Sequence, residues 1–107
     1  MSEFVSVARL SEIADPGKLL VEVDEQLVVV FRVGESVYCL DDVCTHDGGP
    51  LSDGELDAAR CTIACPRHGA KFDIKNGDAL TMPATKATRA HEVKVVDGQI
   101  LVRLSDS

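Results

Sequence analysis

Two short segments, CTHDGG from position 44 and CPRHGA from position 65, constrain this chain more than any other feature. Cys44 and His46 are spaced CxH, Cys65 and His68 are spaced CxxH, and eighteen residues lie between His46 and Cys65. Each segment puts one thiol and one imidazole into a single tight turn. Two such turns make one centre only if the fold docks them side by side. Two thiolates and two neutral imidazoles suit either a single Zn²⁺ or an iron–sulfur centre. Spacing argues against zinc, because a zinc knuckle draws two cysteines from one turn and two histidines from a helix, whereas each segment here mixes the ligand types.

The rest of the chain reads as the scaffold for those turns. FVSVARLSEI gives a short strand and one helical turn, and ADPGK breaks it. LLVEVDEQLVVVFRVGESVYCL gives three antiparallel strands joined by tight turns at DE and GE. Residues 27–31 (LVVVF) are apolar at every position, which predicts a core strand covered on both faces. Between 41 and 69 the pattern changes to Gly, Pro, Asp and Cys, with at most a short strand at 61–64. Strand grammar returns in AKFDIKNGDAL and HEVKVVDGQILVRL, with hairpin turns at Asn76-Gly77 and Asp97-Gly98. The fold class expected is all-β, an antiparallel sandwich or barrel, with a loop-dominated subdomain carrying the ligands. A length of 107 residues fits one domain, 1–107, with a β-scaffold at 1–40 and 74–107 and an insertion at about 41–73.

Charge and apolar patterning exclude several classes of function. The net charge of −7 disfavours nucleic acid and anionic lipid and favours a basic protein partner. The longest apolar run, five residues, falls far short of the roughly 20 needed to cross a bilayer. The N-terminus has no basic segment leading into an apolar stretch, so a cytoplasmic location is expected, and with it metal binding rather than a disulfide framework. Six carboxylates and no Lys or Arg occupy 41–57, whereas Arg60, Arg67, Lys71 and Lys75 follow.

With CxH, an intervening stretch of this length, CxxH, then HGAKFD, NG, Pro83-Ala84 and a last hairpin, nearly the whole chain resembles the Rieske family. The resemblance implies one [2Fe-2S] cluster per chain, with Cys44 and Cys65 on the inner iron and His46 and His68 on the outer iron. Replacing two thiolates by neutral imidazoles makes such a centre less negative by two charges than an all-cysteine one, which raises its potential. Gly48, Gly49 and Gly69 would let backbone N–H groups approach the cluster sulfurs, and Pro50 and Pro66 would stiffen the loops.

Departures from the family pattern select a branch. High-potential members carry a disulfide between the ligand loops at the positions of Gly49 and Arg67, so it cannot form here. They also place hydroxyls where this chain has Ala70 and Phe72, which implies a potential nearer about −150 mV than +300 mV. The oxygenase branch needs a further two-histidine, one-carboxylate iron site, for which only His91 remains. The resemblance therefore implies a Rieske-type ferredoxin, a one-electron carrier between a flavin-dependent reductase and a terminal oxygenase that catalyses no reaction by itself. The small subunit of NADH-dependent nitrite reductase and a zinc-stabilised interaction module are the alternatives. Cys39, Cys61 and His91 are expected to be structural. Asp41 and Asp42 suit either bracing of the first loop or contact with a partner.

Overall fold

The computed structural model describes residues 3–44, 49–66, 69–82 and 86–105. Among the described residues there are nine strands in chain order: β1 (Val5–Arg9), β2 (Gly17–Val23), β3 (Gln26–Val33), β4 (Ser36–Asp41), β5 (Glu55–Asp57), β6 (Thr62–Ala64), β7 (Lys71–Asp73), β8 (Ala90–Val96) and β9 (Gln99–Arg103). One-turn 3-10 helices occupy Leu10–Glu12 and Leu51–Asp53. The first is the helical turn expected after the opening strand.

Six strands form an antiparallel sheet in the order β1-β9-β8-β4-β3-β2, which curls toward a barrel, and β5-β6-β7 form a second, three-stranded sheet. The tight turns fall where charged or glycine residues interrupt the apolar runs. Asp24 and Glu25 (φ 49° and 67°) connect β2 to β3, and Asp97 and Gly98 (φ 51° and 76°) connect β8 to β9. Two consecutive left-handed residues match the twist of the flanking strands, so the register from Val23↔Gln26 to Gly17↔Arg32 is set from the turn.

β3 divides the interior in two. Because strand side chains alternate, Val29 and Phe31 enter one buried cluster with Cys44, Leu51, Ile63, Cys65, Phe72 and Ile74. Val28 and Val30 enter the other, with Ile13, Cys39, Ile100 and Val102. The expectation of a strand covered on both faces holds for Val28, Val29, Val30 and Phe31, all fully buried, but not for Leu27, which is 54% exposed. Leu27 pairs with Glu22 one step from the Asp24-Glu25 turn, where the sheet has no cover.

The middle of the chain holds more sheet than its composition suggests. β5 was not expected, and the strand placed at 61–64 begins one residue later. Cys61 instead takes a left-handed turn (φ 55°) and donates its thiol to the Ala58 carbonyl. The turn at Asn76-Gly77 is present, with Gly77 at φ 82°, yet it returns the chain to only a single bridge, Phe72↔Ala79. A Cβ on Gly77 would lie 2.1 Å from the Thr88 carbonyl oxygen, so glycine lets 86–89 close over this turn.

Candidate metal centre

Cys44 follows β4 by three residues and Cys65 follows β6 directly, and both are buried in the same apolar cluster. Their backbones behave alike. The Cys44 N–H donates to the Gly49 carbonyl at 2.7 Å, and the Cys65 N–H donates to the Ala70 carbonyl at 2.7 Å. Each cysteine thus closes a loop onto the residue five positions on, although the histidine spacings differ. Twenty-one residues apart in sequence, the bases of the two loops share one buried floor built from Leu51, Ile63 and Phe72. His46 and His68 lie outside the described residues, as do Gly48, Arg67, Pro83 and Ala84.

Several side chains grip the first loop. The Asp42 carboxylate accepts both the Ser52 N–H at 2.6 Å and the Ser52 hydroxyl at 3.0 Å. The Thr88 hydroxyl donates to the Val43 carbonyl at 3.2 Å. Asp41 accepts from Gln26 at 2.5 Å and meets His91 Nε2 at 2.6 Å. On its other side the buried His91 ring accepts the Ser105 N–H at Nδ1 (2.9 Å), so the hydrogen sits on Nε2 and is donated to Asp41. Both ring nitrogens are engaged, as a structural role requires. Ser52, Thr88 and Gln26 carry no sequence signal for this support, because each acts on a residue 10 to 45 positions away.

The second loop is a hairpin end, flanked by the pair Ala64↔Lys71. Gly69 (φ 73°) donates its N–H to the Cys65 carbonyl at 2.9 Å. This amide closes the loop, and the left-handed backbone at this position favours glycine. Ala70 and Phe72 are fully buried and offer no hydroxyl beside the cysteines. Asp53, Gly54, Glu55, Ala64, Cys65, Pro66 and Gly69 line one cleft, which sets two acidic residues beside the Cys65 loop.

The remaining cysteines behave as packing residues. Cys39 is 2% exposed and sits in the other cluster, and burial, with the nearby Asp41 charge adding to it, pushes its thiol up to about 12. Such a thiol stays protonated and makes a poor ligand. Cys61 is partly buried against the first cluster, and neither Cys39 nor Cys61 is in a disulfide.

Two buried thiols presented from separate loops on one apolar floor fit the sulfur side of a two-iron cluster, which needs thiolates held away from water. Comparison with known proteins agrees. The family model described as the Rieske [2Fe-2S] domain matches residues 3–100. The ferredoxin component of the naphthalene 1,2-dioxygenase system of Pseudomonas putida is 30% identical over 103 residues, covering 96% of this chain and 97% of that protein. The ferredoxin of carbazole 1,9a-dioxygenase from Nocardioides aromaticivorans superposes with a TM-score of 0.92 at 32% identity, over 95% of this chain and 98% of that one. A chain in a complex of reduced oxygenase and oxidized ferredoxin of carbazole 1,9a-dioxygenase superposes with a TM-score of 0.88 at 30% identity, over 97% of each. This chain belongs to the Rieske [2Fe-2S] domain family.

Proposed function

We propose that the protein is a Rieske-type ferredoxin that carries one electron at a time from a flavin-dependent reductase to a terminal oxygenase. The observation that carries this reading is the pair of buried cysteines closing equal loops on one floor, in a chain whose relatives at 30% identity or more include ferredoxin components of dioxygenase systems. One [2Fe-2S] cluster per chain is the cofactor and supplies a one-electron couple. Cys44 and Cys65 ligate the inner iron, and His46 and His68 the outer iron. The segment of about 41–73 is the cluster-binding unit, and 1–40 with 74–107 form its scaffold.

The chain's own residues then divide the work. Leu51, Ile63 and Phe72 keep water from the thiolate side. Asp53 and Glu55, beside the Cys65 loop, attract basic partner surfaces, which raises on-rate more than affinity. Among the described residues no helix is long and apolar enough to cross a membrane, and the reading places the protein in the cytoplasm.

The test is reduction of purified protein by candidate flavin reductases, followed by re-oxidation with a terminal oxygenase. The reading expects both half-reactions, with a transfer rate that falls as salt is added. Reduction without delivery to any oxygenase would favour the nitrite reductase subunit instead.

A further inference from the structure

The Asp42–Ser52 contact joins the entrance of the first cysteine loop to its exit. Asp42 stands two residues before Cys44, and Ser52 stands three residues after Gly49, to whose carbonyl the Cys44 N–H is bonded. Ser52 is the middle residue of the turn Leu51–Asp53, whose Leu51 is fully buried in the Cys44 cluster. Pro50, the N-cap of that turn, makes no side-chain cap, so the turn's amide finds its acceptor in Asp42, ten residues back in the chain. Ser52 presents two donors at once, and a carboxylate matches both with two separate oxygens. Charge-assisted bonds of this kind are about twice as strong as neutral ones.

Asp42 is itself held in place. Its N–H donates to the Leu27 carbonyl at 3.2 Å, so β3 anchors the clamp to the main sheet. Releasing the carboxylate would free the turn Leu51–Asp53 to shift, and Gly49 and Cys44 with it. We propose that Asp42 is a positioning residue for the cluster, its carboxylate clamping Ser52 so that the Cys44 loop keeps one geometry around the inner iron. The inference rests on the assignment of Cys44 as a ligand.

The test measures cluster loss by visible absorbance after adding a chelator, together with the paramagnetic resonance spectrum of the reduced protein. Asp42→Ala is expected to lose its cluster about tenfold faster than the wild type and to alter the g anisotropy. Asp42→Asn retains an acceptor for the Ser52 N–H, and Ser52→Ala retains the N–H itself, so each is expected to speed loss about threefold. If Asp42→Ala does not fold, these two variants decide the matter. Wild-type rates in both, or Asp42→Asn as fast as Asp42→Ala, overturns the clamp while leaving the ligands as assigned. Faster loss with an unaltered spectrum and an equal loss of stability in cluster-free protein also overturns it, because that pattern reports general folding. A Cys44→Ala variant that kept a full cluster would instead overturn the ligand assignment on which the clamp rests.

Discussion

The two cysteine loops close over the same five-residue span, yet the fold holds them by different means. The second loop spans a β-hairpin, with β6 and β7 paired from Thr62↔Asp73 to Ala64↔Lys71 and its own Gly69 amide closing it. The first leaves β4 in the six-stranded sheet and passes through the turn Leu51–Asp53 to β5 in the other sheet, so no ladder pins its two ends together. Side chains hold it instead: Asp42 on Ser52 joins the two ends, while Thr88 on Val43 and His91 with Gln26 on Asp41 fix the entrance. A loop within a hairpin inherits its geometry from backbone pairing, whereas a loop that crosses between sheets needs side-chain clamps, each worth about 1 kcal/mol and each removable.

The largest expected effect treats the loops as equals. Cys44→Ala and Cys65→Ala should each abolish the cluster, with iron content falling to background in metal analysis and the visible bands disappearing. If either variant kept a full cluster, the two loops would not share one centre. A smaller effect separates them. Gly69→Ala forces a Cβ onto a backbone at φ 73°, and among the described residues nothing lies within 4 Å of that Cβ, so backbone strain of about 1–2 kcal/mol is expected in chemical denaturation of the cluster-free protein. An unchanged denaturation midpoint would mean that the second loop does not depend on that left-handed residue.

Finer still is the tuning of the buried floor. Ala70→Ser adds a hydroxyl beside Cys65, and Phe72→Tyr adds one within the floor itself. A hydroxyl that favours the reduced form by about 1 kcal/mol raises the potential on the order of 40 mV. Direct voltammetry should show the rise in either variant, and folded variants at the wild-type potential would refute the account of the missing donors.

The smallest effect lies at the edge of the three-stranded sheet. The Arg60 backbone N–H, then its guanidinium, hold the Asp57 carboxyl below its ordinary value of 3.8. A depressed carboxyl contributes stability that is present above its unfolded value and lost as pH falls through the lower folded one. Thermal unfolding should therefore show Asp57→Asn closing on the wild type only below about pH 4, while at neutral pH the exposed pair contributes little. A difference that grew on acidification would contradict the sign.

Much of this architecture is legible in the sequence, and the exceptions share a cause. The turn at Asp97-Gly98 announces itself because few residues accept φ > 0, that at Asp24-Glu25 because two charges interrupt apolar runs, and the unbroken apolar run marks β3 as buried on both faces. β5 escapes because Glu55, Leu56 and Asp57 are too few and too charged to show a period, and gain strand geometry from pairing with Thr62–Ala64. Leu27 is misjudged because its exposure depends on what the sheet leaves uncovered, not on its neighbours in sequence. Cys44 and Cys65 can be picked out from spacing alone. Their supports cannot: Thr88 reaches Val43 across 45 positions and His91 reaches Asp41 across 50, which no local pattern encodes.

Electron transfer by this protein would depend on a two-iron cluster held by the two buried cysteines on one side and by His46 and His68 on the other. Low-temperature paramagnetic resonance of the reduced protein, with its nitrogen hyperfine couplings resolved, tests it most directly. An anisotropic one-electron signal carrying couplings from two imidazoles is expected, with one coupling lost in each of His46→Ala and His68→Ala where the cluster survives. A signal of the all-cysteine type, or one without nitrogen coupling, would contradict it.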